Sequence, residues 1–150
     1  MAVGGYLLYR QLVLQPKEKE AVQQMAQAQM QFERDSFAQA LTNPAAGFPG
    51  FAELADEFSG TKAGNLSLYY AGICCLQLGQ FDAAIDYLED FSPSGDITPA
   101  TKAGALGDAY SEKGDFDQAL SLYNKAAGAS SNTLLKAVYL KKYGMLSERQ

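Results

Sequence analysis

The sequence predicts an all-α chain built as an array of antiparallel helix hairpins, and three observations carry that prediction. The stretch from Ala100 to Thr133 reads as two short helices folded together about Lys113-Gly114-Asp115. Its first helix sets Leu106, Gly107 and Tyr110 on one face, and its second sets Phe116, Ala119, Leu120, Tyr123 and Ala126. Small residues thus fall where two helices would touch and aromatics where the gap must be filled. The same order of residues recurs upstream. Gly72, Cys75, Gly79, Phe81, Asp82, Ala84 and Leu88 stand a constant 35 residues before Gly107, Tyr110, Gly114, Phe116, Asp117, Ala119 and Tyr123. Finally, Lys17 to Leu41 contains neither glycine nor proline and repeats its apolar residues at three- and four-residue steps.

The N-terminus stands apart. Met1 to Leu14 is apolar, with Arg10 as its one charge. It is shorter than the roughly 20 residues that span a bilayer, and it has no basic start or small-residue cleavage site. Gly4, Gly5, Tyr6, Tyr9 and Arg10 suit the interfacial end of a membrane helix. The expectation is that residues 1–16 are the end of a longer anchor; the other reading is a first amphipathic helix packed on the core. The repeat-bearing domain is expected over 17–150.

From Lys17 a single helix is expected to Leu41, closed by Asn43-Pro44, because a residue before proline is pushed out of the helical region. A loop follows, then a short helix with Phe51, Leu54, Ala55 and Phe58 on one face, ended by Ser59-Gly60. Together 17–64 form a degenerate hairpin. The next hairpin spans 65–98, with Asn65 as its expected N-cap. Leu68, Ala71, Gly72, Cys75 and Leu78 line its first helix; Phe81, Ala84, Ile85, Leu88 and Phe91 line its second. Thr98-Pro99 then supplies a cap and a first-turn proline for the hairpin at 100–133. The segment 134–150 is either the first helix of a further hairpin or a cap with Tyr139, Lys141, Lys142, Glu148 and Arg149 on its outer face.

Composition narrows function. Among 150 residues, 47% are hydrophobic and 19% charged, the formal net charge is -5, and there is no histidine. An acidic chain is a poor nucleic-acid ligand. The lack of histidine removes the commonest general base and metal ligand. Cys74 and Cys75 are neighbours, a poor geometry for a bridge or a zinc site, and read as packing residues. The carboxylates Asp82, Asp86, Glu89 and Asp90, and Asp108, Glu112, Asp115 and Asp117, read as solvated helix faces. Gly104 and Gly107 lie within a helix and mark close packing rather than a phosphate loop. No enzyme activity, cofactor or metal is expected.

Leu106, Gly107, Tyr110, Gly114, Phe116, Ala119, Tyr123 and Ala126, with Leu68, Ala71, Gly72, Gly79, Phe81, Ala84 and Leu88 before them, resemble the tetratricopeptide repeat family. Cys75 and Phe91 replace an aromatic and an alanine of that pattern, and its closing proline is missing from both repeats. The resemblance implies a right-handed α-solenoid of about seven helices, whose first helices line a concave groove that holds a polypeptide partner. By motif position the groove residues would be Leu66, Tyr69, Ile73, Leu76 and Gln77, then Thr101, Gly104, Asp108, Ser111 and Glu112, then Val138, Lys141, Met145 and Arg149. Tyr69, Ile73 and Leu76 could instead pack on the first helix and close the groove. Asp108 stands where carboxylate-clamp members carry asparagine, which argues against binding of that kind. As a groove residue it is expected to matter little for stability.

The segments Leu14 to Ala21, Phe32 to Phe37 and Gly60 to Leu66 are similar in layout to single-pass, envelope-anchored tetratricopeptide proteins of Bacteroidetes, such as the ancillary subunit of the secretion translocon. That implies an inner-membrane anchor, a periplasmic repeat domain and a scaffolding role. The alternative is a self-associating module, a homo-oligomer held by its apolar N-terminus or its last helix.

Overall fold

A computed structural model describes residues 2–149. Met1 and Gln150, the outer ends of the segments 1–16 and 134–150, lie outside the described residues. These residues are all-helical in their regular structure, and the helices fold as hairpins. They form α1 (Ala2–Tyr9), a π-helical turn (Arg10–Leu14), α2 (Gln15–Glu33), α3 (Phe37–Thr42), α4 (Phe51–Glu57), α5 (Lys62–Gln77), α6 (Phe81–Asp90), α7 (Thr98–Glu112), α8 (Phe116–Gly128) and α9 (Thr133–Ser147). Since α1, the π turn and α2 run on without a break, the described residues hold eight continuous helices rather than about seven. The contacts divide them into two compact units, one up to Cys74 and one from Cys75 onward.

In the first unit, the extra helix comes from a break that composition did not announce. α2 stops at Glu33, and Asp35 takes a left-handed φ of 57°. The Ser36 amide donates back to the Gln31 carbonyl (2.9 Å) and the Asp35 amide to Phe32 (3.0 Å). This is a Schellman-type closure, with aspartate in the place glycine usually fills. Phe32 and Phe37 meet edge to face across the break, centroids 5.4 Å apart, and the break lets α3 return along α2. Tyr70 of α5 stacks on Phe51 at 4.8 Å and meets Phe32 at 5.0 Å. Phe51, Leu54, Ala55 and Phe58 are all buried, as their spacing predicts.

The cap of α5 is not Asn65, which lies inside the helix. Thr61 holds that place: its hydroxyl accepts from the Gly64 amide (2.9 Å). Glu18 of α2 adds its carboxylate, accepting from the Lys62 (2.6 Å) and Ala63 (3.0 Å) amides. Between them they satisfy three of the four orphan donors of the first turn. Pro16 has no amide to give and sits in the first turn of α2. The Gln15 amide donates to Arg10 five residues back, and this π turn accommodates the proline without ending the helix.

The second unit follows the repeat closely. Gly79 (φ 74°) and Gly114 (φ 82°) close α5 and α7 in the same way. The Gln80 amide returns to the Cys75 carbonyl at 2.8 Å, and the Asp115 amide to Tyr110 at 2.9 Å. Asp115 then caps α8 through the Gln118 amide. Phe116 is less enclosed than its motif position implies, with 41% of its surface exposed. Thr98 is the first residue of α7 and not its cap; its hydroxyl is turned to the backbone of Ser94. Lys102 donates to the Glu89 (2.9 Å) and Phe91 (2.6 Å) carbonyls and so closes the C-terminus of α6. Asp96 accepts from the Ser131 amide (3.1 Å) and from the hydroxyls of Ser130 and Ser131, tying the loop before α7 to the loop before α9.

α8 packs on α7 on one side and α9 on the other. Both contacts depend on glycine. A Cβ on Gly107 would lie 2.7 Å from the Tyr123 ring, and one on Gly104 only 2.1 Å from the Tyr139 ring. The buried cluster of this unit is Ala100, Ala103, Ala119, Tyr123, Ala126, Ala127, Tyr139 and Leu146. Tyr139 is buried here and Lys142, half-buried, turns to Asp108 of α7, so neither belongs to the outer face expected of them.

Candidate functional site

The second unit carries a cleft of about 440 Å³. It is lined by Leu76, Gln77 and Gly79 at and just past the end of α5 and by Phe81 at the start of α6. Asp108, Ser111 and Glu112 of α7, Tyr123 of α8 and Lys142 of α9 complete the lining. An adjoining pocket of about 160 Å³ is lined by Ser111, Tyr123, Lys142, Met145, Leu146 and Arg149.

Helical spacing explains the line-up. Asp108, Ser111 and Glu112 are three and four residues apart, so they share a stripe of α7. On α9, the Tyr139 ring lying over Gly104 fixes the rotation of the helix. Lys142 and Leu146, three and seven residues later, must then face the same way. This corrects the expectation for Lys141, which is exposed and lines neither cavity; its neighbour Lys142 does.

Asp108 is the centre of a polar junction. It accepts from the Tyr123 hydroxyl at 2.8 Å and from the Lys142 ammonium at 2.6 and 2.7 Å. The ammonium also lies 5.7 Å from the centroid of the Tyr123 ring. Burial, with the hydrogen bond to Asp108, pushes the Tyr123 phenol above its ordinary value of 10.0. Three helices are pinned at one carboxylate. Against the expectation that Asp108 matters little for stability, its side chain is engaged with Tyr123 and Lys142, so it is a contact residue between helices as well as a cleft residue. Its charge is neutralised by Lys142, which leaves Glu112 and Arg149 as the exposed charges at this site.

Of the residues expected to line a groove, Leu76, Gln77, Asp108, Ser111 and Glu112 share the cleft, and Met145 and Arg149 line the pocket beside it. Thr101 does not reach either cavity; its hydroxyl donates to the Thr98 carbonyl at 3.1 Å. Gly104 is covered by Tyr139, and Val138 is exposed outside both cavities. Leu66, Tyr69 and Ile73 belong to the first unit and are half-buried, with the Tyr69 ring 6.1 Å from that of Tyr70. Gly79, Phe81, Tyr123, Lys142 and Leu146 line the two cavities and were not expected there; for Lys142 and Tyr123 the contact with Asp108 accounts for it. The missing signal was the complementarity between an acid on the first helix and a lysine 34 residues later.

Several of the carboxylates have structural partners: Asp82 with Lys113, Asp108 with Lys142, Asp115 with the α8 amide. Among the described residues no group of three or more His, Cys, Asp or Glu is placed to hold a metal ion. What the cleft offers is apolar contact from Leu76 and Phe81 beside the neutral hydrogen-bonding groups Gln77 and Ser111 and the exposed Glu112, with Met145 in the pocket next to it. Comparison with curated proteins and with solved structures gave no match. Residues 103–137, which take in most of α7, all of α8 and the first turn of α9, match the family model described as tetratricopeptide repeat.

Proposed function

We propose that this chain is a non-catalytic scaffold that binds an extended or helical segment of a partner protein in the cleft of its second unit. The observation that carries the reading is the cleft itself. It lies against a hairpin that matches a family whose repeats generally mediate protein–protein contact, and it presents apolar and neutral polar groups and the exposed Glu112 around an internally neutralised ion pair. The groove is read as Leu76, Gln77, Asp108, Ser111, Glu112 and Met145, with Lys142 in place of Lys141.

The N-terminal helix supports a membrane-held protein. Val3 and Leu12 are each 72% exposed, and Tyr6, Leu7, Leu8 and Tyr9 are more than half exposed. The helix has apolar side chains all round rather than on one stripe, unlike an amphipathic helix lying on a core. Among the described residues no helix is long and apolar enough to cross a membrane. An inner-membrane, periplasmic placement rests on the likeness in layout to envelope-anchored repeat proteins. The same exposed helix is what favours the second reading, a self-associating module.

A photo-crosslinking residue placed at Ser111, in the full chain in cells, tests the scaffold reading. Ser121, exposed on α8 and outside the cleft, is the control. One discrete adduct from Ser111 and none from Ser121 is expected. Equal adducts from both, or none from either, would sink the cleft. An adduct with the mass of two copies would select self-association.

A further inference from the structure

Along one face of the N-terminal helix and its continuation into α2 lies a separate cavity of about 240 Å³, lined by Tyr6, Arg10, Leu14, Gln15, Glu18 and the segment Gly60–Lys62. Its cations are Arg10, from the π turn, and Lys62, from the first residue of α5. Its one carboxylate, Glu18, is already directed at the amides of Lys62 and Ala63. Tyr6 and Gln15 add neutral donors. At the same level of the helix, and not among the cavity's lining, Leu7, Leu8, Leu12 and Val13 are exposed.

We propose that this cavity binds the phosphate of an anionic phospholipid, with Arg10 and Lys62 on the phosphate oxygens and the acyl chains alongside the apolar helix. The inference rests on the membrane reading given above. Charge complementarity selects the ligand: two cations line the cavity, against a carboxylate that is engaged with backbone amides. A guanidinium suits a phosphate in particular, because its fork of donors matches two oxygens at once. Position selects the source. Tyr6 and Tyr9 lie within about one turn of Arg10, the pairing of aromatic and basic residues that meets headgroups, and the charged run Lys17 to Glu20 follows.

The test is co-sedimentation of the full chain with phosphatidylcholine vesicles, with and without phosphatidylglycerol. A basic residue merely near an anionic surface contributes at most about a factor of five, so Arg10→Gln with Lys62→Gln, which would also remove charge-assisted hydrogen bonds to the phosphate, should weaken binding to the anionic vesicles by more than the roughly 30-fold expected of two diffuse charges. Lys19→Gln removes the same charge outside the cavity and should change binding much less than Arg10→Gln. Equal losses from Arg10→Gln and Lys19→Gln would overturn the cavity in favour of a diffuse field. Equal binding to neutral and anionic vesicles would also overturn it while leaving the membrane reading intact. No binding to either vesicle removes both. Inorganic phosphate titrated without vesicles is the remaining arm: saturable binding that needs Arg10 would mean a free-phosphate site and overturn the lipid assignment.

Discussion

Adding one methyl group at three helical glycines should give three different outcomes, set by what each new Cβ would meet. At Gly144 on α9 nothing lies within 4 Å, so Gly144→Ala keeps only the gain in helix propensity, about 0.5–1 kcal/mol of stabilisation. At Gly104 on α7 the new Cβ would sit 2.1 Å from Cε1 of Tyr139 and 2.6 Å from its hydroxyl oxygen. That ring is buried, so it must turn out or force α7 and α9 apart. Overpacking of this kind costs about 1–3 kcal/mol, and complete expulsion of the ring would cost at most about 4–6 kcal/mol from its lost burial. After the propensity gain, Gly104→Ala should be destabilised by about 1–2 kcal/mol or more. At Gly64 the obstacle is backbone: the Phe58 carbonyl oxygen at 2.1 Å cannot swing away, so Gly64→Ala should lose about 3 kcal/mol or more. Urea midpoints at constant slope measure the series. Tyr139→Leu in the Gly104→Ala background should recover part of the loss, because the shorter side chain vacates the site. A Gly104→Ala protein as stable as Gly144→Ala would refute the helix contact and, with it, the register that aims Lys142 into the cleft.

Asp108→Ala should cost about 1–3 kcal/mol by urea denaturation, because it strips charge-assisted hydrogen bonds from Tyr123 and Lys142; an unchanged midpoint would mean the junction does not hold the helices. The Tyr123 phenol is raised in the folded chain, so its contribution is full below the unfolded value near 10 and is lost as pH rises through the higher folded value. Stability should therefore fall in strong alkali, and Tyr123→Phe should flatten that limb. The Asp96 carboxyl is held below its ordinary 3.8 by the Ser131 amide, then by the Ser131 and Ser130 hydroxyls. Its contribution is present above that value and is lost as pH falls through the lower folded value, so Asp96→Asn should blunt the acid limb of a stability profile. Cys74 and Cys75 are buried, and burial raises the Cys75 thiol, so both should resist a thiol reagent until the chain unfolds; prompt native labelling would contradict their burial.

Much of the second unit was legible in the residues themselves. A glycine with positive φ at positions 79 and 114, a small residue at 107 and an aromatic at 123 are local requirements of a hairpin, and each leaves a mark at a fixed spacing. The first unit was legible only in its apolar faces. Its break at Asp35 uses a residue that most often marks a turn or a cap, and the N-terminus of α5 is satisfied by Glu18, 44 residues away from Lys62 in sequence.

Sequence alone therefore determined the helical class, the two turns of the 35-residue repeat and the faces that pack, because these follow from residues a few positions apart. Tertiary structure decided which carboxylates are free, that Thr61 and not Asn65 caps α5, and that Lys142 and not Lys141 faces the cleft. A lysine one position along points about 100° round the helix, and no local rule fixes that rotation. Here it is fixed by the Tyr139 ring settling where Gly104 has no side chain, a contact between helices 35 residues apart.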